Sequence, residues 1–258
     1  MQWETVDEGW GRRAVEFATT TEPSNCREYT FVHHRLGVDD GDRLLDVACG
    51  SGLAIELARI RGARCAGIDA SPRLVAVARD RTPDADIRVG DMGALPWDDE
   101  SFDVVTSFRG IWGTTPGAVE EVHRVLVPGG RLLMTVWGDV GKSPGAWMMA
   151  PFLWAEEEKI GHQADMVALG RPGVGERFLE ERGFDVGERF EVPFAFEYPD
   201  PAGYARGLAS TGPAYEAIQR IGEDEFIARA TELATGQVRD GLPLRGAVQL
   251  FGYLGTKR

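Results

Sequence analysis

The chain has 258 residues, with 41 acidic against 28 basic side chains and a formal net charge of −13. At roughly 100–200 residues per domain this is one large domain or two small ones, and so negative a surface argues against a nucleic-acid partner. No apolar run has the length of a membrane span, and MQWETVDEGWGRR lacks the basic-then-apolar order of a signal peptide. Cys26, Cys49 and Cys65 are odd in number and not closely paired, so the expectation is reduced thiols, a cytoplasmic protein and no metal site.

Arg43-Leu-Leu-Asp-Val-Ala48 reads as a buried strand, followed by a Cys-Gly-Ser-Gly turn and a helix over 53–61 with Leu53, Leu57 and Ile60 on one face. Residues 64–68 form a second strand, and Ser71-Pro72 opens the next helix, with Ser as cap and Pro where a missing N–H costs nothing. Strands follow at 87–89 and 102–108, and Thr115-Pro116 repeats the helix-start pattern before a helix that ends by Val127. Pro128-Gly129-Gly130 then turns the chain into a fifth strand at 131–137. This βαβα rhythm predicts a doubly wound, mostly parallel sheet with helices on both faces.

The rhythm breaks after Trp137. Residues 138–175 mix Gly and Pro with the apolar run Ala146–Trp154; a helix at 176–182 stops at Gly183. A strand over 184–196, helices over 200–235 and a last strand over 248–256 complete the expected order. The excursions at 138–175 and 197–246 are expected to form a helical cap on the same domain, 1–258.

The informative cluster begins at Leu44-Leu-Asp-Val-Ala-Cys-Gly-Ser-Gly52. A strand feeding a Gly-x-Gly turn at a helix start lets a ligand approach the backbone closely. Asp69 ends the second strand, where a carboxylate accepts from ribose hydroxyls, and Asp91 follows the third, where it accepts from an adenine amino group. A dinucleotide loop has a third glycine where this chain has Ile55, and Asp46 inside the strand suits a cationic ligand better than a pyrophosphate. Asp46, Gly50, Gly52, Asp69 and Asp91, in that order on successive strands, are specific together although each alone is weak.

LLDVACGSG (44–52), GIDAS (67–71), GDMGALPWDDESFDVV (90–105) and EVHRVLVPGGRLLMTVWG (121–138) resemble the class I S-adenosylmethionine-dependent methyltransferases. The resemblance is closest to the small-molecule branch related to ubiquinone and menaquinone biosynthesis (type 11). It implies a Rossmann-like α/β fold with a seven-stranded sheet, the last strand antiparallel, and a cap over the carboxyl ends of the strands. It implies S-adenosyl-L-methionine as cofactor, with S-adenosyl-L-homocysteine as product. By the same resemblance Asp46, Ala48, Gly50 and Gly52 surround the methionine part, and Asp69 holds the ribose with Ala70 beside the adenine. Asp91 and Met92 grip the adenine edge, while Phe108 offers its carbonyl to the methionine amine. EGWGRRAVEF (8–17) is similar to the helix that closes over the cofactor, so residues 1–36 are expected to cover it and to bring Trp10 near the site.

The expected reaction is methyl transfer to a small organic acceptor, with Trp10, Trp112 and Trp147 as candidate acceptor contacts. His33, His34 and His123 belong near the lower ends of the strands and read as structural; His162, in the cap, is the candidate base. Two rivals use the same sheet: an NAD(P)-dependent oxidoreductase, and a module that binds the cofactor without transferring a methyl group.

Overall fold

Five short runs rich in Leu, Val and Ile build the middle of the molecule: β1 (Arg43–Val47), β2 (Arg64–Asp69), β3 (Asp86–Val89), β4 (Phe102–Phe108) and β5 (Leu126–Trp137). A computed structural model of the chain describes residues 6–155, 167–187 and 189–258. The five strands pair in parallel in the order β3-β2-β1-β4-β5. β10 (Leu250–Lys257) closes the free edge of β5 in the antiparallel sense. Leu44, Leu45, Val104, Val105, Leu132 and Leu133 are fully buried. Consecutive residues disappear on opposite faces, which is why these strands read as unbroken apolar runs.

Helices cover both faces. α1 (Cys26–Leu36) packs Val32 and Leu36 against Leu44, Val104 and Leu133, while α4 (Pro116–Val125) packs Val119 and Val122 against Leu45, Val105 and Leu132. α2 (Leu53–Ile60) and α3 (Pro72–Arg81) return the chain between β1, β2 and β3. Ser71 caps α3 as its sequence predicts, its Oγ accepting from the Leu74 N–H at 3.1 Å. Thr115 does not repeat that chemistry: its Oγ1 accepts from the Trp112 N–H at 2.9 Å and closes the turn before α4 instead.

The last third departs from expectation in two places. The strand expected over 184–196 is divided into β6 (Phe184–Val186), β7 (Phe190–Val192) and β8 (Ala195–Tyr198). β6 and β7 share the outer edge of β10, so the large sheet has eight strands in seven lanes. Pro193 has no N–H to continue the ladder, and β8 leaves to pair with β9 (Leu244–Ala247), a strand the apolar pattern did not reveal. The closing strand starts at Leu250 rather than Val248, because the Gln249 N–H turns aside to Ser143 Oγ at 3.0 Å.

Above these edges lie a 3₁₀ helix at Ala146–Ala155, α5 (Val174–Glu180), and the trio α6 (Pro201–Ala209), α7 (Gly212–Ile221) and α8 (Glu223–Thr235). Phe226, Tyr204, Leu208 and Ala217 join the same apolar cluster as α1 and β5, so the cap shares a core with one face of the sheet. No helix among the described residues is long and apolar enough to cross a membrane.

Candidate active site

The carboxyl ends of β1, β2 and β4 meet in one place, and the backbone there is bent to leave it open. Ala48 has φ 61°, a left-handed conformation that costs a non-glycine residue energy. It fits because Gly110 stands opposite: a Cβ on Gly110 would lie 2.4 Å from the Ala48 Cβ. Gly50 (φ 55°) and Gly52 (φ 82°) complete the turn. Gly52 also has to be small, since a Cβ there would sit 2.8 Å from that of Ala78 and force α2 and α3 apart.

Two carboxylates face this turn, and burial disfavours the charge on each. Asp69 ties two loops together: its Oδ2 accepts from the Gly50 N–H at 2.8 Å and its Oδ1 from the Ser71 N–H at 2.9 Å. Burial raises its carboxyl despite those donors. Asp46 lies opposite Thr106 in the parallel register, and Thr106 Oγ1 donates to its Oδ1 at 2.7 Å. Burial pushes the Asp46 carboxyl up to about 8, and the nearby Asp69, Glu22 and Glu28 add to the effect. A buried acid cluster of this kind invites a cation.

The other predicted residues divide. Ala70 follows Asp69 half-exposed, and Asp91 Oδ1 accepts from the Gly93 N–H at 2.8 Å, which holds its loop at the end of β3. Met92 is half-buried against the α4 side of the core. Phe108 ends β4 with its ring edge-on to Tyr29, centroids 4.5 Å apart. Trp10 packs edge-on to Phe17 at 5.5 Å and lies over Gly212. Phe17 in turn is the neighbour that a Cβ on Gly50 would meet, at 3.9 Å, so the N-terminal segment does reach the glycine turn. Trp112 is held just past β4, its Nε1 donating to the Arg109 carbonyl at 2.9 Å. Trp147 is used differently: its ring contact is Tyr204, at 5.4 Å, within the packing of the cap. His162 lies outside the described residues. His33 lies edge-on to Phe108 at the carboxyl end of β4 rather than near the lower ends of the strands, and His123 lies edge-on to Phe184. Cys49 is buried and its thiol is pushed up by that burial, so it is packing and no nucleophile.

Sequence reasoning missed a second set of residues that hold this end together. Glu22 is 1% exposed, and its carboxylate accepts from Ser51 Oγ at 2.5 Å and from Arg81 Nη1 at 2.6 Å. It thereby pins the residues before α1 to the glycine turn. Asp7 does the same at the start of α3, accepting from Ser71 Oγ and, at 2.8 Å, from Arg73 Nε. Glu28 on α1 is fully buried beside Thr135 and Arg109.

S-adenosylmethionine, which the family resemblance implies, fits what is present. Each Asp69 oxygen already takes one N–H and has a further lone pair for a ribose hydroxyl. Asp46 is a carboxylate whose charge a sulfonium or amine restores, and a Cβ on Gly50 would meet nothing nearer than the Phe17 ring, at 3.9 Å. A dinucleotide fits worse, because Ile55 fills the place of a third glycine with a fully buried side chain packed against Gly67.

Comparison with known proteins agrees with this geometry. A family profile described as "Methyltransferase domain" matches residues 45–134. A demethylmenaquinone methyltransferase of Chlorobaculum tepidum is 36% identical over 125 residues, covering 40% of this chain and 52% of that protein. An uncharacterized methyltransferase of Synechocystis is 32% identical over 159 residues, covering 58% of this chain and 70% of that one. The chain therefore spans about half the length of the demethylmenaquinone relatives, and more of the Synechocystis protein. Among solved structures, the YcgJ protein of Bacillus subtilis superposes with a TM-score of 0.59 at 17% identity, over 90% of this chain and 98% of that one.

Proposed function

We propose that this chain, which belongs to the class I S-adenosylmethionine-dependent methyltransferases, transfers a methyl group to a small organic acceptor with a flat, oxygen-bearing ring. When bound, S-adenosylmethionine supplies a methyl group on a positively charged sulfur, open to in-line attack. Asp69 would hold the ribose, with Ala70, Asp91 and Met92 beside the adenine. Asp46 and the turn Ala48–Gly52 would surround the methionine part, together with the carbonyl of Phe108. The chain's own work is then alignment and exclusion of water. Phe17 lies by the glycine turn with Trp10 packed edge-on against it, and Glu22 and Asp7 fasten the segment that carries them.

One observation carries the reading: Asp69 bridges the Gly50 and Ser71 amides, fixing a carboxylate between the glycine turn and α3. The quinone ring in the name of the Chlorobaculum relative supports an aromatic acceptor here. The net charge of −13 favours an uncharged acceptor over a nucleic acid or other polyanion.

Calorimetric titration with S-adenosylhomocysteine tests the cofactor assignment. The wild type binds, and Asp69→Ala, which removes a charged acceptor from two amides and from the ribose, weakens binding by about 30-fold or more. Absence of binding by the wild type, or equal binding by the variant, rejects the assignment.

A further inference from the structure

Behind the aromatic end of β4 lies a buried ion pair that the cofactor does not require. Glu28 on α1 is completely buried, and Thr135 Oγ1 donates to its Oε1 at 2.6 Å. Arg109, the first residue after β4, brings Nε to 3.3 Å from Oε1 and Nη2 to 2.8 Å from Oε2. The second approach is close but off-line for a hydrogen bond, so Oε2 is incompletely satisfied. A buried pair this imperfect is a poor source of stability, since desolvation offsets most of the attraction.

The position of Arg109 is also forced. Its backbone is left-handed, φ 59°, in a residue with a long side chain. Its N–H is bound to the Thr135 carbonyl at 3.1 Å and its carbonyl accepts from Trp112 Nε1 at 2.9 Å. The guanidinium lies over two rings, 5.2 Å from the centroid of Trp137 and 5.0 Å from that of Phe194. Its side chain keeps 15% exposure, and Nη1 makes no hydrogen bond among the described residues. Phe108 and Gly110, its chain neighbours, are also half-exposed, and Gly110 abuts Ala48 of the glycine turn. Backbone strain, a buried carboxylate and an aromatic shelf thus combine to fix the guanidinium and leave two Nη1 N–H groups free, on the residue next to the one that abuts the turn.

We infer that Arg109 grips an oxygen of the methyl acceptor through Nη1, and that Glu28 is the positioning residue that aims it. The inference rests on the methyltransferase reading above and extends it to the acceptor. Arg109 and Glu28 together carry no net charge, so the site suits a single phenolic or carbonyl oxygen on a flat ring that lies against the half-exposed Phe108. A phosphate or diphosphate would meet the Glu28 carboxylate with too little positive charge to offset its own.

The test uses the full chain saturated with S-adenosylhomocysteine and two probes, 1-naphthol and naphthyl phosphate, with binding followed by calorimetry. The wild-type complex binds 1-naphthol at least tenfold more tightly than naphthyl phosphate. Arg109→Gln weakens naphthol binding tenfold or more, and Arg109→Lys, which keeps charge without the planar fork, recovers only part of it. Glu28→Gln weakens it about fivefold. Millimolar methylguanidinium restores naphthol binding to Arg109→Ala, a rescue that a purely structural role does not give. S-adenosylhomocysteine affinity stays within twofold in every variant, which also reports that each is folded. Failure of the wild type to bind S-adenosylhomocysteine counts against the methyltransferase reading. Binding of S-adenosylhomocysteine without naphthol, or a tenfold loss of S-adenosylhomocysteine affinity on changing Arg109, overturns the inference alone.

Discussion

Asp46 shows how one side chain couples burial to ligand charge. It lies 2% exposed in a parallel strand, with a single hydroxyl donor, and burial lifts its carboxyl to about 8. At neutral pH the ligand-free protein therefore keeps Asp46 largely protonated. A cationic ligand beside it favours the carboxylate and expels the proton. Binding of S-adenosylhomocysteine, which retains the amine, is expected to release a substantial fraction of a proton at pH 7. Calorimetric enthalpies measured in phosphate and in Tris then differ by that fraction of the difference in buffer ionisation heats. Affinity falls as pH drops below 8, by up to about tenfold per unit. Asp46→Asn removes both dependences; equal enthalpies in the two buffers for the wild type sink the prediction.

At the scale of the element, the segment before α1 is a succession of helical pieces of three to five residues each, and it depends on what it is tied to. Its short turns from Asp7–Gly11 to Glu22–Asn25 are held by Glu22 on Ser51 and Arg81, and by Asp7 on Ser71 and Arg73. Arg81→Leu leaves Glu22 buried without its cation, a change that costs about 3 kcal/mol. The expected result is lower stability in urea, faster amide exchange over 17–25 and a roughly tenfold loss of S-adenosylhomocysteine affinity. Unchanged exchange over those residues shows that the segment is held by apolar contacts alone. This tether was not legible in the sequence, because Glu22, Ser51 and Arg81 are far apart in the chain and nothing local marks them. Asp46, Gly50, Gly52 and Asp69 were legible, because strand, turn and helix fix their spacing within one βαβ unit. Glu28 falls between these cases. It shares the buried stripe Tyr29, Val32, His33 and Leu36 on α1, and a carboxylate in an apolar stripe is a readable anomaly. The break of the outer strand at Pro193 was readable in the same way, but the pairing of β8 with β9 depends on tertiary partners.

For the whole molecule, the pH dependence of stability is set by buried groups of opposite sign. Asp46, with Glu22 and Asp69, has its carboxyl raised by burial. Asp46 still holds a proton in the native state where the unfolded chain has lost it. That stabilisation is complete below the ordinary carboxyl range and is lost as pH rises through the native value, about 8 for Asp46. His33 works the other way: it is buried with neither ring nitrogen hydrogen-bonded, and burial lowers it from 6.5 to about 4. Below 6.5 the unfolded chain takes a proton that the native state refuses, so stability is lost as pH falls toward 4. Between about 4 and 6.5 the slopes of His33 and Asp46 oppose each other; above 6.5 His33 is silent and the Asp46 slope remains. One proton is worth about 1.4 kcal/mol per pH unit, so the ligand-free protein is expected to be about 2 kcal/mol less stable at pH 8 than at pH 6.5. Urea unfolding at the two pH values measures this directly. Asp46→Asn is expected to flatten the slope above 6.5, while His33→Leu leaves it unchanged and removes only the loss on the acid side. A wild type that is equally stable at both pH values, or more stable at pH 8, shows that Asp46 is already ionised in the folded chain.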